Sequence, residues 1–211
     1  MGDAAPLAAG CYGKIPAVGD FFSRRLPTSF ISAWDRWLAE VLPHSAQLLG
    51  DRWDESYRTA PIWRFALARN AHSATGWAGV LMPSVDRVGR RFPLTLAAPL
   101  DNAFQLAQAL FAAESWYASL ESIALGALMP AAEPEAIDRA LLESGFPAAD
   151  AAGACDQLAD DAGWSGMPAG SGLVRLSRVD DGQRVLQTAA LAALSSARGW
   201  HTFWWTRGRD S

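Results

Sequence analysis

Apolar residues follow two different periods along this chain. The stretches Trp77–Met82 and Phe92–Ala98 are apolar at nearly every position, which predicts strands covered on both faces. Ile62–Leu67 predicts a third strand, and the short connections among the three favour an antiparallel meander. The run from Trp200 to Thr206 is apolar at both alternating sets of positions, so it is predicted to be a covered strand and not an edge strand.

Other segments have the helical period. A helix is predicted from Pro27 to about Pro43, and its apolar face contains Phe30, Trp34, Trp37, Leu38, Val41 and Leu42. Asp101 and Asn102 are predicted to cap the longest helix, which extends to about Leu125. Further helices are predicted at about 45–57, 134–142 and 185–197.

These elements predict an α+β fold, in which a central, mainly antiparallel sheet is flanked by helices. A length of 211 residues suits one globular domain, 1–211. Residues 145–172 are rich in Ala, Asp, Gly and Pro and are predicted to form a flexible excursion. Residues 173–206 are predicted to complete the sheet as a C-terminal strand–helix–strand unit.

Composition excludes several classes of protein. Half of the residues are apolar and ten are Trp, which excludes general disorder. The net charge is −4 and the basic residues are scattered, so the chain lacks the basic stripe of a nucleic-acid-binding protein. Neither a signal peptide nor a membrane-spanning run is recognisable in the sequence, and we expect a cytoplasmic protein.

Motifs for metal, nucleotide or acyl-transfer chemistry are missing from the sequence. The three histidines and two cysteines lack the spacing of metal ligands. The only lysine, Lys14, is followed by Ile15 and Pro16 and so does not belong to a phosphate-binding loop. A Gly-x-Ser-x-Gly elbow is also missing. We therefore expect neither a cofactor nor a metal.

The connection between the strands at 77–82 and 92–98 is unusually polar. It contains a serine, an aspartate and three arginines between Pro83 and Pro93. In one interpretation Asp86 and Arg90 form an internal ion pair, and Gly89 takes a left-handed conformation. In the other, Ser84, the amides near Gly89 and the arginines bind an anion, such as a phosphorylated side chain or a partner carboxylate. The sequence leaves both interpretations open.

Two dense groups of motifs resemble a known family. The first group is Gly13-Lys14-Ile15-Pro16, Gly19-Asp20-Phe21, Arg24-Arg25-Leu26-Pro27 and Trp34-Asp35-x-Trp37-Leu38. The second is Pro61-x-Trp63-Arg64-Phe65 and Gly79-Val80-Leu81-Met82-Pro83-Ser84-Val85-Asp86-x-Val88-Gly89-Arg90-x-Phe92-Pro93-Leu94. Their order resembles the TagF family of type VI secretion-associated proteins, most strongly over residues 10–100.

The resemblance implies a cytoplasmic regulator without enzymatic activity. Family members look like repressors that act after translation by sequestering the forkhead-associated scaffold protein of the secretion system. The residues that we consider for contact with a partner or an anion are Asp20, Phe21, Arg24, Arg25, Ser84, Asp86, Arg87, Arg90 and Arg91. Two alternatives are an enzyme that uses Asp86, Arg90 and Arg91 on a phosphorylated or carboxylated substrate, and a structural subunit of the secretion apparatus.

Overall fold

The computed structural model describes residues 8–68, 75–146 and 202–206. The strands are β1 (Gly10–Gly13), β2 (Phe22–Arg24), β3 (Trp63–Leu67), β4 (Gly76–Met82), β5 (Leu94–Leu100) and β6 (Thr202–Trp205). The helices are α1 (Thr28–Leu49), α2 (Trp53–Arg58), α3 (Ala103–Phe111), α4 (Glu114–Ala127) and α5 (Pro134–Glu143), and a short 3-10 turn, Gly50–Arg52, precedes α2.

The six strands form one antiparallel sheet in the order β2-β1-β5-β4-β3-β6. This arrangement confirms the α+β class and the meander of β3, β4 and β5. The last strand was predicted not to be an edge strand, and this is wrong within the described ranges, because β6 pairs with β3 and lies at the end of the sheet. The physical reason is that an apolar strand can be covered on both faces by helices and neighbouring rings and still have an open hydrogen-bonding edge.

Alternation along the strands gives the sheet two apolar faces. In β4, Ala78, Val80 and Met82 belong to one core, whereas Trp77 and Leu81 belong to the other. The first core is covered by α3, α4 and α5 through residues such as Leu110, Tyr117, Leu120 and Leu141. The second is covered by α1 through Phe30, Trp34 and Leu38. The sheet is therefore the middle layer of three, which explains its continuously apolar strands.

Aromatic rings fill the core beneath α1. The Trp34 ring lies 5.1 Å from Phe65 and 6.0 Å from Trp204, measured between centroids. Trp34 also donates a hydrogen bond from Nε1 to Oγ1 of buried Thr95 (2.8 Å). This bond satisfies the polar end of the indole, as a buried tryptophan requires. Trp37 and Val41, which were predicted to face the core, are exposed at the margin of α1, although Trp37 still contacts Trp34 and Trp204.

Helix boundaries differ from the prediction at two places. The first helix continues through Pro43 to Leu49, although an interior proline removes one main-chain hydrogen bond and often ends a helix. Gly50, with a φ of 53°, ends this helix, so the predicted 45–57 helix is reduced to α2.

The predicted 103–125 helix is likewise two helices. Asn102 caps the first by accepting a hydrogen bond from the Gln105 amide. The chain then turns at Ala112 and Ala113, and α3 and α4 both bury residues in the same core. Neither alanine is a local helix breaker, so packing and not propensity accounts for the division.

One charged side chain lies inside the core on the side of α4. Arg64 of β3 is buried and forms ion pairs with Glu121 (Nε to Oε1, 2.6 Å) and with Glu114 of α4. The guanidinium also lies 5.2 Å from the centroid of the Tyr117 ring. Burial by itself would lower the pKa of Arg64, but the two carboxylates raise it above its ordinary value. Arg64 therefore stays charged and fixes α4 to the sheet.

Several predicted elements lie outside the described residues. They are nearly all of the 145–172 excursion, the strand at 173–179 and the helix at 185–197. Within the C-terminal unit, only β6 and Thr206 are described.

Close approach of two strands at Gly79 makes a stability prediction. A Cβ at Gly79 would lie 2.1 Å from the Leu96 carbonyl oxygen, which is a main-chain atom that cannot move independently. We expect Gly79→Ala to lower the free energy of unfolding by about 2–3 kcal/mol through overpacking. Urea denaturation measures the change.

Gly126→Ala is the matched control. Gly126 lies in α4, and a Cβ there would meet nothing within 4 Å. Alanine should stabilise the helix by up to about 1 kcal/mol. Equal effects of the two substitutions would contradict the proposed close packing at Gly79.

Candidate functional site

Two loops meet at one end of the sheet. Residues 14–21 connect β1 to β2, and residues 83–93 connect β4 to β5. Because β5 pairs antiparallel with both β1 and β4, both loops leave the sheet at the same end of these strands. We call this pair, residues 14–21 and 83–93, the double loop. It contains most of the residues that the sequence singled out.

A single buried carboxylate organises the double loop. Asp86 Oδ1 accepts hydrogen bonds from the amides of Val88 (3.0 Å) and Arg90 (2.9 Å). Its Oδ2 accepts from Lys14 Nζ (3.0 Å) and Arg90 Nε (2.6 Å). The carboxylate therefore joins the turn of its own loop to the base of the other loop.

The electrostatics of Asp86 follow from these four donors. Burial by itself would raise the pKa of Asp86, because it disfavours the charged form. The amide of Arg90, the ammonium of Lys14, the guanidinium of Arg90 and the amide of Val88 together hold the pKa well below its usual range. The carboxylate is thus ionised under all ordinary conditions and is already saturated with donors.

Polar contacts fix the base of the double loop. Ser84 is buried, and its Oγ donates a hydrogen bond to the Lys14 carbonyl (2.6 Å). The Tyr57 hydroxyl donates to the Ser84 carbonyl (2.8 Å) and accepts from the Ser84 amide (3.1 Å). Burial raises the pKa of Tyr57 to about 12, although the bond to Ser84 opposes the shift. Through Tyr57, α2 supports the same loop.

The outer parts of the two loops are also joined. The Arg87 amide donates to the Val18 carbonyl (3.1 Å), and Arg90 Nη2 donates to the Gly19 carbonyl (2.8 Å). Gly89 has a φ of 85°, as predicted for the turn.

An aromatic cluster completes the connection between the loops. The Phe21 ring stacks on Tyr12 at 5.3 Å and meets Phe92 edge-on at 4.8 Å. Lys14 Nζ lies 5.3 Å from the centroid of the same Phe21 ring. Loops held by this many specific contacts present their exposed side chains in one arrangement.

The structure separates the candidate residues into three groups. Ser84 and Asp86 are buried and bonded internally. Three arginines contact groups outside the double loop: Arg91 pairs with Asp54 of α2, Arg25 pairs with Asp138 of α5, and Arg24 lies over the Phe22 ring of its own strand. The third group is exposed on the double loop and comprises Asp20, Phe21, Arg87 and Arg90. The structure thus brings one subset of the candidates together and separates Arg24 and Arg25 from it.

The predicted internal pair of Asp86 and Arg90 is present. The amides that the anion-binding interpretation required, those of Val88 and Arg90, already bind Asp86, and the Gly89 amide donates to the Asp86 carbonyl. The protein's own carboxylate therefore occupies the position that an external anion would take.

Sequence reasoning missed two members of this site, Lys14 and Tyr57. Lys14 carried a signal, because it is the only lysine in a chain with eighteen basic residues. Tyr57 carried none, because its hydroxyl reaches Ser84 only after α1 and α2 fold across the sheet.

Other chemical features are sparse in the part of the chain that the structure describes. No group of three or more His, Cys, Asp or Glu residues there has the geometry of a metal site. An open depression of about 320 Å³ is lined by residues that include Arg25, Trp77 and Pro99. No helix within the described ranges combines the length and hydrophobicity of a membrane-spanning segment.

Comparison with known proteins agrees with the motifs. The family model for the TagF N-terminal domain, described as type VI secretion system-associated, matches residues 10–143. The chain belongs to the TagF family. The crystal structure of PA0076 from Pseudomonas aeruginosa PAO1 is similar to this TagF protein, with a TM-score of 0.65 and 33% sequence identity over 93% of this chain and 88% of that chain. No curated protein matches the chain.

The Asp86 cluster predicts a pH-dependent stability in this TagF protein. We expect Asp86→Asn to lower the melting temperature at pH 7, because it leaves the buried Lys14 ammonium without its counter-charge. Since the folded-state pKa of Asp86 lies below its unfolded value, the stabilisation is complete above about pH 5. It is lost progressively as the pH falls from about 4 towards the lowered folded-state pKa. Thermal unfolding of both proteins from acidic to neutral pH measures the difference.

Asp20→Asn is the control for this experiment. Asp20 is exposed on the facing loop, and an asparagine oxygen can still accept the hydrogen bond from the Phe21 amide. Its melting temperature should stay close to that of the unaltered protein. A difference between Asp86→Asn and the unaltered protein that grows toward low pH would contradict the assigned ion pairs.

Proposed function

We propose that this TagF protein is a negative regulator of type VI secretion that acts in the cytoplasm after translation. It binds and sequesters the forkhead-associated scaffold protein of the secretion system, and it does so without catalysing a reaction. Membership of a family associated with type VI secretion supports the biological setting. The feature of this chain that carries the proposal is the double loop, whose inner polar groups are saturated and whose outer face exposes Phe21, Arg87, Val88 and Arg90.

The chemistry of the double loop supports binding over catalysis. A general base needs a proton affinity near the working pH and access to substrate. The Asp86 carboxylate is buried, has a strongly lowered pKa and already accepts four hydrogen bonds. The Ser84 hydroxyl donates a hydrogen bond to the main-chain carbonyl of Lys14. Neither residue has the surroundings of a base or a nucleophile.

Rigidity supports the same conclusion. A binding surface loses less conformational entropy when its loops are fixed before the partner arrives. The contacts that Lys14, Asp86 and Phe92 make across the two loops provide this fixation.

The proposal predicts a stable complex between the purified proteins. We expect this TagF protein and the scaffold protein of its own secretion system to form a complex on size-exclusion chromatography with light scattering. We also expect saturable binding in isothermal titration calorimetry. A forkhead-associated protein from outside any type VI system is the matched control and should not bind.

Three results would contradict the proposal in different ways. Absence of binding to the purified scaffold would remove sequestration as the mechanism. Stable co-purification with the assembled apparatus, and not with the free scaffold, would favour a structural subunit. Turnover of a phosphorylated or carboxylated compound that Asp86→Asn abolishes would favour an enzyme.

A further inference from the structure

We infer that the partner docks on the outer face of the double loop through Phe21, Arg87, Val88 and Arg90, which we call the tip face. The partner surface that fits it is an unphosphorylated protein patch in which carboxylates surround an apolar recess. This inference rests on the proposed function and adds the surface and the chemistry of the partner.

Charge is strongly uneven between the tip and the rest of the chain. The double loop contains four basic and two acidic residues, a net charge of +2. The whole chain has a net charge of −4, so the remaining residues carry −6. A partner with acidic groups is therefore attracted to this end of the molecule and repelled by the remainder.

Most of the basic residues of the double loop already have a partner. Lys14 and Arg90 share the single charge of Asp86, and Arg91 pairs with Asp54. Arg87 differs, because it has no ion pair within the described ranges. The side chain of Arg90 is also 60% exposed, and it shares the one carboxylate of Asp86 with Lys14. Arg87 and Arg90 together leave positive charge that a partner carboxylate can neutralise.

Apolar side chains lie beside these charges. Val88, at the turn between Asp86 and Arg90, is 72% exposed, and Phe21 on the facing loop is 42% exposed. Isolated exposed apolar residues need no explanation, but here both are held on loops that are fixed to each other. An aromatic anchor with flanking arginines is the composition that dominates the energy of protein interfaces.

The position of Arg87 depends on a glycine. The Arg87 guanidinium lies over Gly19, where a Cβ would be 2.9 Å from Nη2. Alanine at position 19 would therefore displace the end of a flexible side chain without changing the charge of the protein. Gly19→Ala therefore tests whether binding depends on the position of the Arg87 guanidinium, since the charge itself is kept.

The same geometry argues against a phosphate group as the main determinant. A phosphate is commonly held by a set of free main-chain amides. The amides of Val88, Gly89 and Arg90 all bond to Asp86. Nucleic acid and anionic membranes would need a wider basic surface than two arginines provide. A carboxylate-bearing protein surface requires only the charges and apolar groups that are present.

The experiment measures the affinity of the full chain for the purified forkhead-associated scaffold by calorimetry at two salt concentrations. We expect Arg87→Glu to weaken binding at least about tenfold and to reduce its dependence on salt. Phe21→Ala should weaken binding by about tenfold or more. Gly19→Ala should weaken it several-fold with an unchanged melting temperature. Arg139→Glu, a charge reversal of an exposed arginine on α5, is the control and should change the affinity less than about twofold.

The outcomes separate this inference from the proposed function. Binding by Arg87→Glu and Phe21→Ala that equals binding by Arg139→Glu would overturn the tip face and leave sequestration intact. Failure of the unaltered chain to bind would overturn both. Binding that disappears when the scaffold is dephosphorylated would overturn the assignment of an unphosphorylated, carboxylate-bearing surface. Arg87-dependent binding to phosphatidylserine vesicles or duplex DNA, in place of the scaffold, would also overturn it. Equal binding to phosphorylated and dephosphorylated scaffold, with the expected losses in the variants, supports the inference.

Discussion

The ion cluster of Asp86 is the interaction on which the exposed end of the molecule depends. Its carboxylate accepts hydrogen bonds from an ammonium, a guanidinium and two main-chain amides. It therefore neutralises the charge of Lys14 and also closes the β4–β5 turn. Such a group is costly to bury and is tolerated only when its donors are complete. The positions of Arg87, Val88 and Phe21 follow from that constraint, because their loops are joined through it.

The sheet explains why so many aromatic residues are present. Both of its faces are covered, and among the described helices α1 fills the second face with Phe30, Trp34 and their neighbours. On the opposite face, Arg64 and its two glutamates attach α4 through charge within an otherwise apolar layer. Apolar packing thus holds the layers together, and two charge clusters fix the orientation of particular elements. The Arg64 cluster fixes α4 on the sheet, and the Asp86 cluster fixes the double loop.

In the proposed function of this TagF protein, the arrangement links stability to recognition. The same residues that saturate the inner polar groups leave the outer arginines and apolar side chains available. A surface built in this way loses little entropy on binding, and its charge directs the approach of a partner. The proposed function therefore requires no moving part within the described residues.

Local sequence determined the elements whose signals are local. Alternation and apolar runs predicted the meander of β3, β4 and β5, and the cap at Asn102 was correct. For Asp86, Arg90 and Gly89 the sequence left two interpretations open, and the turn with an ion pair is the one that is present. Only the tertiary structure decided which charges are paired, because Lys14 reaches Asp86 across 72 positions of sequence. It also decided the division of α3 from α4, where the sequence has no local helix breaker. The reason is that propensity and periodicity act over a few residues, whereas the pairing of buried charge depends on which distant strands become neighbours.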